Sequence, residues 1–120
     1  MLKFVTLLKR RPGMSIADFR DYYERHHARI GVKYLSGFAH RYMRRYIVPM
    51  PNPVTGVADE PDHDVVMEIW FPDRGAFDAA MERLGEPAIA AEIAADEDHL
   101  FDRAMHRHFF VDEYESPLRP

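Results

Sequence analysis

In DVVMEIWF, residues 64–71, the side chains divide by parity into two sets. One set is wholly apolar: Val65, Met67, Ile69 and Phe71. The other set is mixed: Asp64, Val66, Glu68 and Trp70. Because successive side chains of a β-strand point to opposite faces, the stretch predicts a strand whose apolar face packs under helices. The mixed face must then meet a different environment.

A strand and a helix are predicted upstream of this stretch. Residues 2–8 form an apolar run of strand length, and residues 11–13, Arg-Pro-Gly, supply a turn. Ser15 followed by Asp18 resembles a capping box, so the helix is predicted to begin near Ser15. Five residues then recur at spacings of three and four, on one stripe of that helix: Ile16, Phe19, Tyr23, His27 and Ile30.

The remaining segments predict two more strands and a second helical region. Residues 38–48 are rich in aromatic and branched side chains, which favours a strand. Residues 50–62 are rich in proline and predict a loop, either a plain surface excursion or a lid. A helical region opens at Asp73 and, after an interruption, runs to about residue 98. The last strand is predicted at 103–111.

This βαββαβ order is that of a ferredoxin-like α+β sandwich with a four-stranded antiparallel sheet. Two helices cover one face of such a sheet. The other face is predicted to carry Trp70, Tyr42 and Phe110 among polar residues, which is too apolar for water. We therefore expect a homodimer in which two sheets face each other and enclose a cavity for a small apolar or aromatic ligand.

The amino-acid composition limits the number of domains, the possible chemistry, the location and the partners. The 120 residues are 47% hydrophobic and 30% charged, which favours one domain over residues 1–120. The absence of cysteine excludes disulfides, thiolate zinc sites and thiol nucleophiles, and a cytoplasmic location is expected. A formal net charge of −4 argues against non-specific nucleic-acid binding. The apolar start is too short for a membrane span, so no membrane partner is expected.

Three segments resemble the EthD-domain family. They are residues 9–15 (KRRPGMS) with the downstream Tyr22-Tyr23 and His27-Ala28 pairs, residues 64–71, and residues 96–102 with Asp96-Glu97 and Phe101-Asp102. The resemblance covers nearly the whole chain. It implies a dimeric α+β barrel, a superfamily that includes cofactor-free polyketide cyclases, decarboxylases, isomerases and small monooxygenases.

Four residues are predicted to be catalytic. Glu68 sits mid-strand on the mixed face, where an apolar cavity would disfavour its charged form and suit it to proton transfer. A structural ion pair is the alternative role. His27 lies in the apolar stripe of the first helix and is read either as a general acid or base or as a core histidine. Tyr42 and His40 share one face of the second strand and could orient an oxygen.

A second set of residues is predicted to bind the ligand. Its members are Trp70, Tyr23, Asp64, His106, His108 and Phe110. Trp70 is read as a wall that stacks on a planar ring, with interface packing as the alternative. Two histidines at spacing two could also serve a metal, but the pattern is unspecific. Neither a metal nor a cofactor is predicted.

These residues favour a cofactor-independent enzyme that moves protons on a cyclic, aromatic or polyketide-like compound. The reaction would be a cyclisation, isomerisation, dehydration or decarboxylation, in catabolism or secondary metabolism. One alternative is an EthD-type oxidoreductase or an accessory protein of a monooxygenase. The other is a binding module that carries a hydrophobic metabolite without turning it over.

Overall fold

The structure, a computed structural model, describes all residues from 1 to 120. Four strands alternate with helices in the order β, α, β, β, α, β. The elements are β1 Leu2–Leu8, α1 Ile16–Tyr22, a π-helical turn Tyr23–His27, α2 Ala28–Leu35, β2 Arg41–Tyr46, β3 Val65–Phe71, α3 Arg74–Leu84, α4 Pro87–Glu97, a 3₁₀ turn Arg103–Met105 and β4 Arg107–Phe110.

The four strands form one antiparallel sheet in the order β2-β3-β1-β4. In the register, Val5 of β1 lies opposite Glu68 of β3 on one side and Phe109 of β4 on the other. The helices pack on a single face of this sheet through the apolar residues of β1 and β3. The predicted ferredoxin-like α+β class is confirmed. The structure describes one chain, so the homodimer stays a prediction.

The helix starts follow from the local sequence. The Ser15 hydroxyl accepts a hydrogen bond from the Asp18 amide at 3.1 Å, which satisfies one of the unpaired donors of the first turn. Asp73 does the same for the Ala76 amide at 2.8 Å. Gly85 ends α3, and Pro87 occupies the first turn of α4, where its missing N–H costs nothing.

The strands β2 and β4 are shorter than predicted. The Phe38 and Ala39 amides both bond the carbonyl of Leu35, which closes a turn after α2 and keeps them out of the sheet. At the other strand, the Met105 amide bonds the Asp102 carbonyl and winds a 3₁₀ turn where a strand was expected. Hydrogen bonds within local turns therefore replace strand pairing before the start of β2 and before the start of β4.

The sheet faces predicted for the side chains of β2 and β4 are wrong. Directly opposite residues of an antiparallel pair point to the same face. Tyr42 lies opposite Ile69, and Phe110 lies opposite Phe4, which is itself opposite Ile69. Tyr42 and Phe110 therefore lie on the helix-covered face rather than beside Trp70. Which side chains of an edge strand point to the helix-covered face depends on its pairing register, and the sequence alone does not specify that register.

No helix of this chain has the length and apolarity needed to cross a membrane. The buried interior lies between the sheet and the helices in two neighbouring apolar clusters. Tyr23 and Phe19 centre one cluster, and Phe71 and Ala80 centre the other. Tyr42 packs against both, at the point where the clusters leave a gap.

Candidate functional site

A cavity of about 280 Å³ occupies the gap between the sheet and the helices. Its walls are mostly apolar. The apolar lining residues are Phe4, Leu8, Ile30, Leu35, Met67, Ile69, Met81, Leu84, Ile93 and Phe101. The polar lining side chains are Thr6, Tyr23, His27, Tyr42, Glu97, His106 and His108. A few polar groups converging in an apolar cleft are typical of a small-molecule site.

The π-helical turn places His27 at this cavity. The Ala28 amide bonds the carbonyl of Tyr23, five residues earlier, so one extra residue is accommodated within the helix. Tyr23 and His27 both line the cavity, with their rings edge to face at 5.3 Å. Such single π turns are frequent at functional sites. The stripe predicted from α-helical spacing is therefore interrupted at Tyr23–His27, where two of the cavity-lining side chains lie.

His27 and Asp96 form a hydrogen-bonded dyad between the π-helical turn and α4. The Nδ1 of His27 lies 2.9 Å from Oδ2 of Asp96, and both side chains are mostly buried. The hydroxyl of Tyr22 donates to Oδ1 of the same carboxylate at 2.5 Å. Because Nδ1 is engaged by the carboxylate, Nε2 is the nitrogen left to exchange a proton with a ligand.

Two tyrosine hydroxyls meet on the floor of the cavity. The hydroxyl oxygens of Tyr23 and Tyr42 are 3.1 Å apart, and Tyr23 is almost completely buried. Burial raises the pKa of Tyr23 well above that of a free phenol, and burial raises the pKa of Tyr42 as well. Both phenols therefore stay protonated near neutral pH and can donate a hydrogen bond.

Glu97 supplies a carboxyl group that nothing else in the chain engages. Its side chain makes no hydrogen bond or ion pair within the chain, and it lines the cavity at the end of α4. Burial raises its pKa, an effect that the charges of His27 and Arg103 oppose. A raised pKa enlarges the fraction of the neutral acid, which suits a proton donor near neutral pH.

Two further histidines, His106 and His108, line the same cavity. The ring of Phe101 lies edge to face with His27 at 5.2 Å and with His106 at 4.8 Å. His108 bonds the hydroxyl of Thr6 through Nδ1 at 3.0 Å. The Nε2 of His106 is buried and has no hydrogen-bond partner. No group of three or more potential ligands is placed to hold a metal ion.

The structure brings together five of the residues predicted to form the site. They are His27, Tyr42, Tyr23, His106 and His108, which all line the cavity. The other five, Glu68, His40, Trp70, Asp64 and Phe110, do not line it.

Glu68 and Trp70 lie on the opposite face of the sheet from His27, so the predicted pairing of Glu68 with His27 in one chamber is wrong. Glu68 forms an ion pair with Arg45 and accepts a hydrogen bond from the indole N–H of Trp70 at 2.8 Å. Lys3 lies over the Trp70 ring at 4.0 Å. This open face of the sheet is charged and aromatic, and a ligand there would need a second chain to enclose it.

Of the three remaining residues, Asp64 and Phe110 have local structural partners and His40 is exposed. Asp64 is buried and accepts a hydrogen bond from the Arg10 amide at 2.8 Å, with the Arg10 guanidinium at 3.3 Å. His40 is exposed before β2. Phe110 packs edge to face on Phe77 of α3 at 5.0 Å.

Sequence reasoning missed Asp96, Glu97 and Thr6 as members of the site. Asp96-Glu97 had a signal, because the pair belongs to one of the segments that resemble the EthD family. Helical spacing also places residue 97 four positions after Ile93, which lines the same cavity. Thr6 lies within an apolar strand and gives no signal of its own.

Comparison with known proteins agrees with this architecture. The At3g17210 protein of Arabidopsis thaliana is 16% identical with a TM-score of 0.61, covering 98% of this chain and 100% of that one. A variant of SnoaB, a cofactor-independent oxygenase from Streptomyces nogalater, is 14% identical with a TM-score of 0.56, covering 96% and 94%. HapK from Hahella chejuensis is 13% identical with a TM-score of 0.56, covering 100% and 99%.

Identities at this level establish a shared fold and nothing finer. No curated protein sequence matches the chain significantly. The profile of the EthD domain, in contrast, matches residues 11–104. That range includes the first helix with the π-helical turn, β3, and α4 with Asp96 and Glu97. The chain is a member of the EthD domain family.

Proposed function

We propose that the protein is a cofactor-independent enzyme that moves protons on a small, largely apolar ring compound. The observation that carries the proposal is the His27–Asp96 dyad beside the unpaired carboxyl of Glu97, within an apolar cavity. Paired groups whose surroundings favour opposite proton-transfer roles are the arrangement that acid–base chemistry needs.

The proposed chemistry is enolisation. The Nε2 of His27 removes a proton from a carbon next to a carbonyl group, and the electron pair of the broken C–H bond moves onto the carbonyl oxygen. Asp96 stabilises the imidazolium that forms, through the Nδ1 bond of 2.9 Å. Glu97 donates its proton to the oxygen. Isomerisation, cyclisation, dehydration and decarboxylation each use such an enol or enolate.

The cavity walls support this chemistry in two ways. Apolar surroundings exclude water and strengthen the hydrogen bonds that develop in the transition state. The protonated phenols of Tyr23 and Tyr42 add a second donor for the ligand oxygen. A volume of about 280 Å³ is at the small end of ligand pockets and suits a molecule of two or three fused rings.

An oxygenase is the second candidate. SnoaB, which shares the fold, is a cofactor-independent oxygenase. A carbanion formed by the same proton abstraction could react directly with O₂, so this candidate begins with the same step at His27. A binding protein that carries a hydrophobic metabolite is the third candidate, and it requires no proton transfer.

The test is proton exchange on a ketone probe. We expect the purified protein to accelerate the replacement of the acidic protons of 2-tetralone by deuterium in D₂O, followed by proton NMR without added cofactor. Positioned acid–base catalysis contributes about 10²–10⁴-fold, so His27→Ala is expected to lose most of the acceleration. His99→Ala is the matched control, because His99 is an exposed histidine outside the cavity.

The outcomes separate the candidates. Exchange that is equal with and without O₂ supports the enolisation enzyme, whereas consumption of O₂ and an oxidised product support the oxygenase. Binding of 2-tetralone without any exchange above the His27→Ala level rejects both enzymes and leaves the carrier.

We also propose that the chain forms a homodimer through the open face of the sheet, and that it works in the cytoplasm. The first proposal is supported by the aromatic and apolar side chains on that face, among them Trp70 and the 40% exposed Phe109. The second rests on the cysteine-free composition.

A further inference from the structure

The polar side chains of the cavity can be accounted for one by one. Tyr23 pairs with Tyr42, His27 pairs with Asp96, and Thr6 pairs with His108. Two of the polar side chains that line the cavity, Glu97 and His106, have no side-chain partner, and the Nε2 of His106 is buried as well. Buried polar atoms in folded proteins nearly always have a hydrogen-bond partner, so an orphaned one needs an explanation.

Both unpaired residues contact Phe101, another lining residue of the cavity: the Phe101 amide donates to the Glu97 carbonyl at 2.9 Å, and the rings of His106 and Phe101 are 4.8 Å apart. The ring of His27 also lies edge to face with the Phe101 ring, at 5.2 Å. The acid–base groups and His106 are therefore spaced around one ring in the same cavity, where a planar molecule can contact both. Phe101 is itself 6% exposed and fixed by Phe19 and Tyr23, so this spacing is rigid.

We propose that His106 determines specificity by hydrogen-bonding a hydroxyl group on the ring of the ligand. This inference rests on the proposed function, because it assigns the orientation of the ligand in the same cavity. A hydroxyl both donates and accepts, so it matches either tautomer of a neutral imidazole. Burial lowers the pKa of His106 to about 4, which keeps the ring neutral and disfavours a carboxylate-bearing ligand there.

The neighbouring histidine does not compete for this role. His108 is held by Thr6 and stacks on Phe4 with an interplanar angle of 6°. It stands 6.2 Å from His106 and nearly perpendicular to it. His106 is therefore the cavity-lining histidine of the pair with a buried nitrogen that has no hydrogen-bond partner.

The test compares two probes of equal size, 2-naphthol and 2-methylnaphthalene, by fluorescence titration. The ratio of their dissociation constants is the readout, because it cancels changes in apolar packing common to both. In His106→Phe we expect 2-naphthol to lose about tenfold in affinity relative to 2-methylnaphthalene, as the loss of one buried hydrogen bond predicts. His106→Gln, whose amide reaches the Nε2 position, is expected to stay within about threefold of wild type.

An equal ratio in wild type and His106→Phe overturns the inference, as does a His106→Gln protein that behaves like His106→Phe. Thermal denaturation checks that each variant is folded, and His106→Leu replaces His106→Phe if that protein does not fold. The titration measures binding and needs no turnover. A naphthol preference that His106→Phe leaves unchanged therefore refutes the role of His106 alone, whereas failure of 2-tetralone exchange, with a naphthol preference that does depend on His106, refutes the proposed enzyme alone.

Discussion

Glu97 shows how a single residue can serve a site at a cost to the fold. Its carboxyl group lies in an apolar cavity without a partner, so the charged form is disfavoured and the pKa is raised. The unfolded chain then ionises at lower pH than the folded protein. At pH values below the usual pKa of a glutamate, Glu97 is protonated in both states and does not lower the free energy of unfolding. That free energy falls as the pH rises through the raised pKa of Glu97.

We therefore predict that Glu97→Gln stabilises the protein by about 0.5–1 kcal/mol at pH 7.5 and has little effect at pH 4, where both states hold the proton. Urea denaturation at the two pH values measures the difference. Glu82→Gln is the control, since Glu82 is exposed on α3 and makes no ion pair. A Glu97→Gln protein less stable than wild type at pH 7.5 would contradict the assignment of Glu97 as an unpaired acid.

The pKa of His106 is shifted downwards, so its effect on the free energy of unfolding has the opposite pH dependence. Burial and the nearby His108 and His63 lower its pKa to about 4, below the value of 6.5 for a free imidazole. As the pH falls from 6.5 towards 4, the unfolded chain takes up the proton first and stability is lost. Because the side chain keeps some contact with solvent, we expect this loss to be about 1–2 kcal/mol rather than the full value of the shift.

The predicted outcome is a smaller acid-induced loss of stability in His106→Asn than in wild type between pH 7 and pH 4.5. Thermal unfolding at each pH provides the comparison. His99→Asn removes an exposed histidine and serves as the matched variant. Parallel pH curves for wild type and His106→Asn would refute the prediction.

The elements themselves were largely readable from the sequence. The parity of residues 64–71 placed β3 and its buried face correctly, and Ser15 gave the start of α1. The facing of Tyr42 could not be read, because an edge strand can slip by one residue without changing its composition. The π-helical turn was equally invisible, since its Tyr23 and His27 also fit an α-helical stripe.

One close contact between elements decides the shape of the cavity. A Cβ atom added to Gly31 of α2 would lie 2.5 Å from Cε2 of Tyr42, so the absence of a side chain lets β2 and α2 approach. We predict that Gly31→Ala displaces the Tyr42 ring and breaks its bond to Tyr23. The net loss is expected to be about 1–2 kcal/mol, after the gain of about 1 kcal/mol from better helix propensity.

A double-mutant cycle measures this contact by urea denaturation. With Tyr42→Leu as the background, the clash is relieved, so Gly31→Ala is expected to be neutral or stabilising there. An equal loss in both backgrounds would place the strain elsewhere than at Tyr42.

At the scale of the whole molecule, the open face of the sheet governs association. We predict a mass of two chains by light scattering at micromolar concentration, and a shift towards one chain in Phe109→Glu. Burying an added carboxylate without a partner is costly, which opposes pairing at this face. Val32→Glu changes an exposed residue on α2, on the helical side, and is expected to leave the mass unchanged. A single-chain mass for wild type would reject the dimer.

The polar side chains described for the cavity lie between a sheet and the helices that the same polypeptide folds over it. For the proposed proton transfer, we predict that each subunit of a dimer is catalytically autonomous. Mixed assemblies of wild type with His27→Ala copies would lose exchange activity in linear proportion to the inactive fraction, with neither rescue nor poisoning between neighbours. Selection could then remodel how the copies associate without disturbing the reaction.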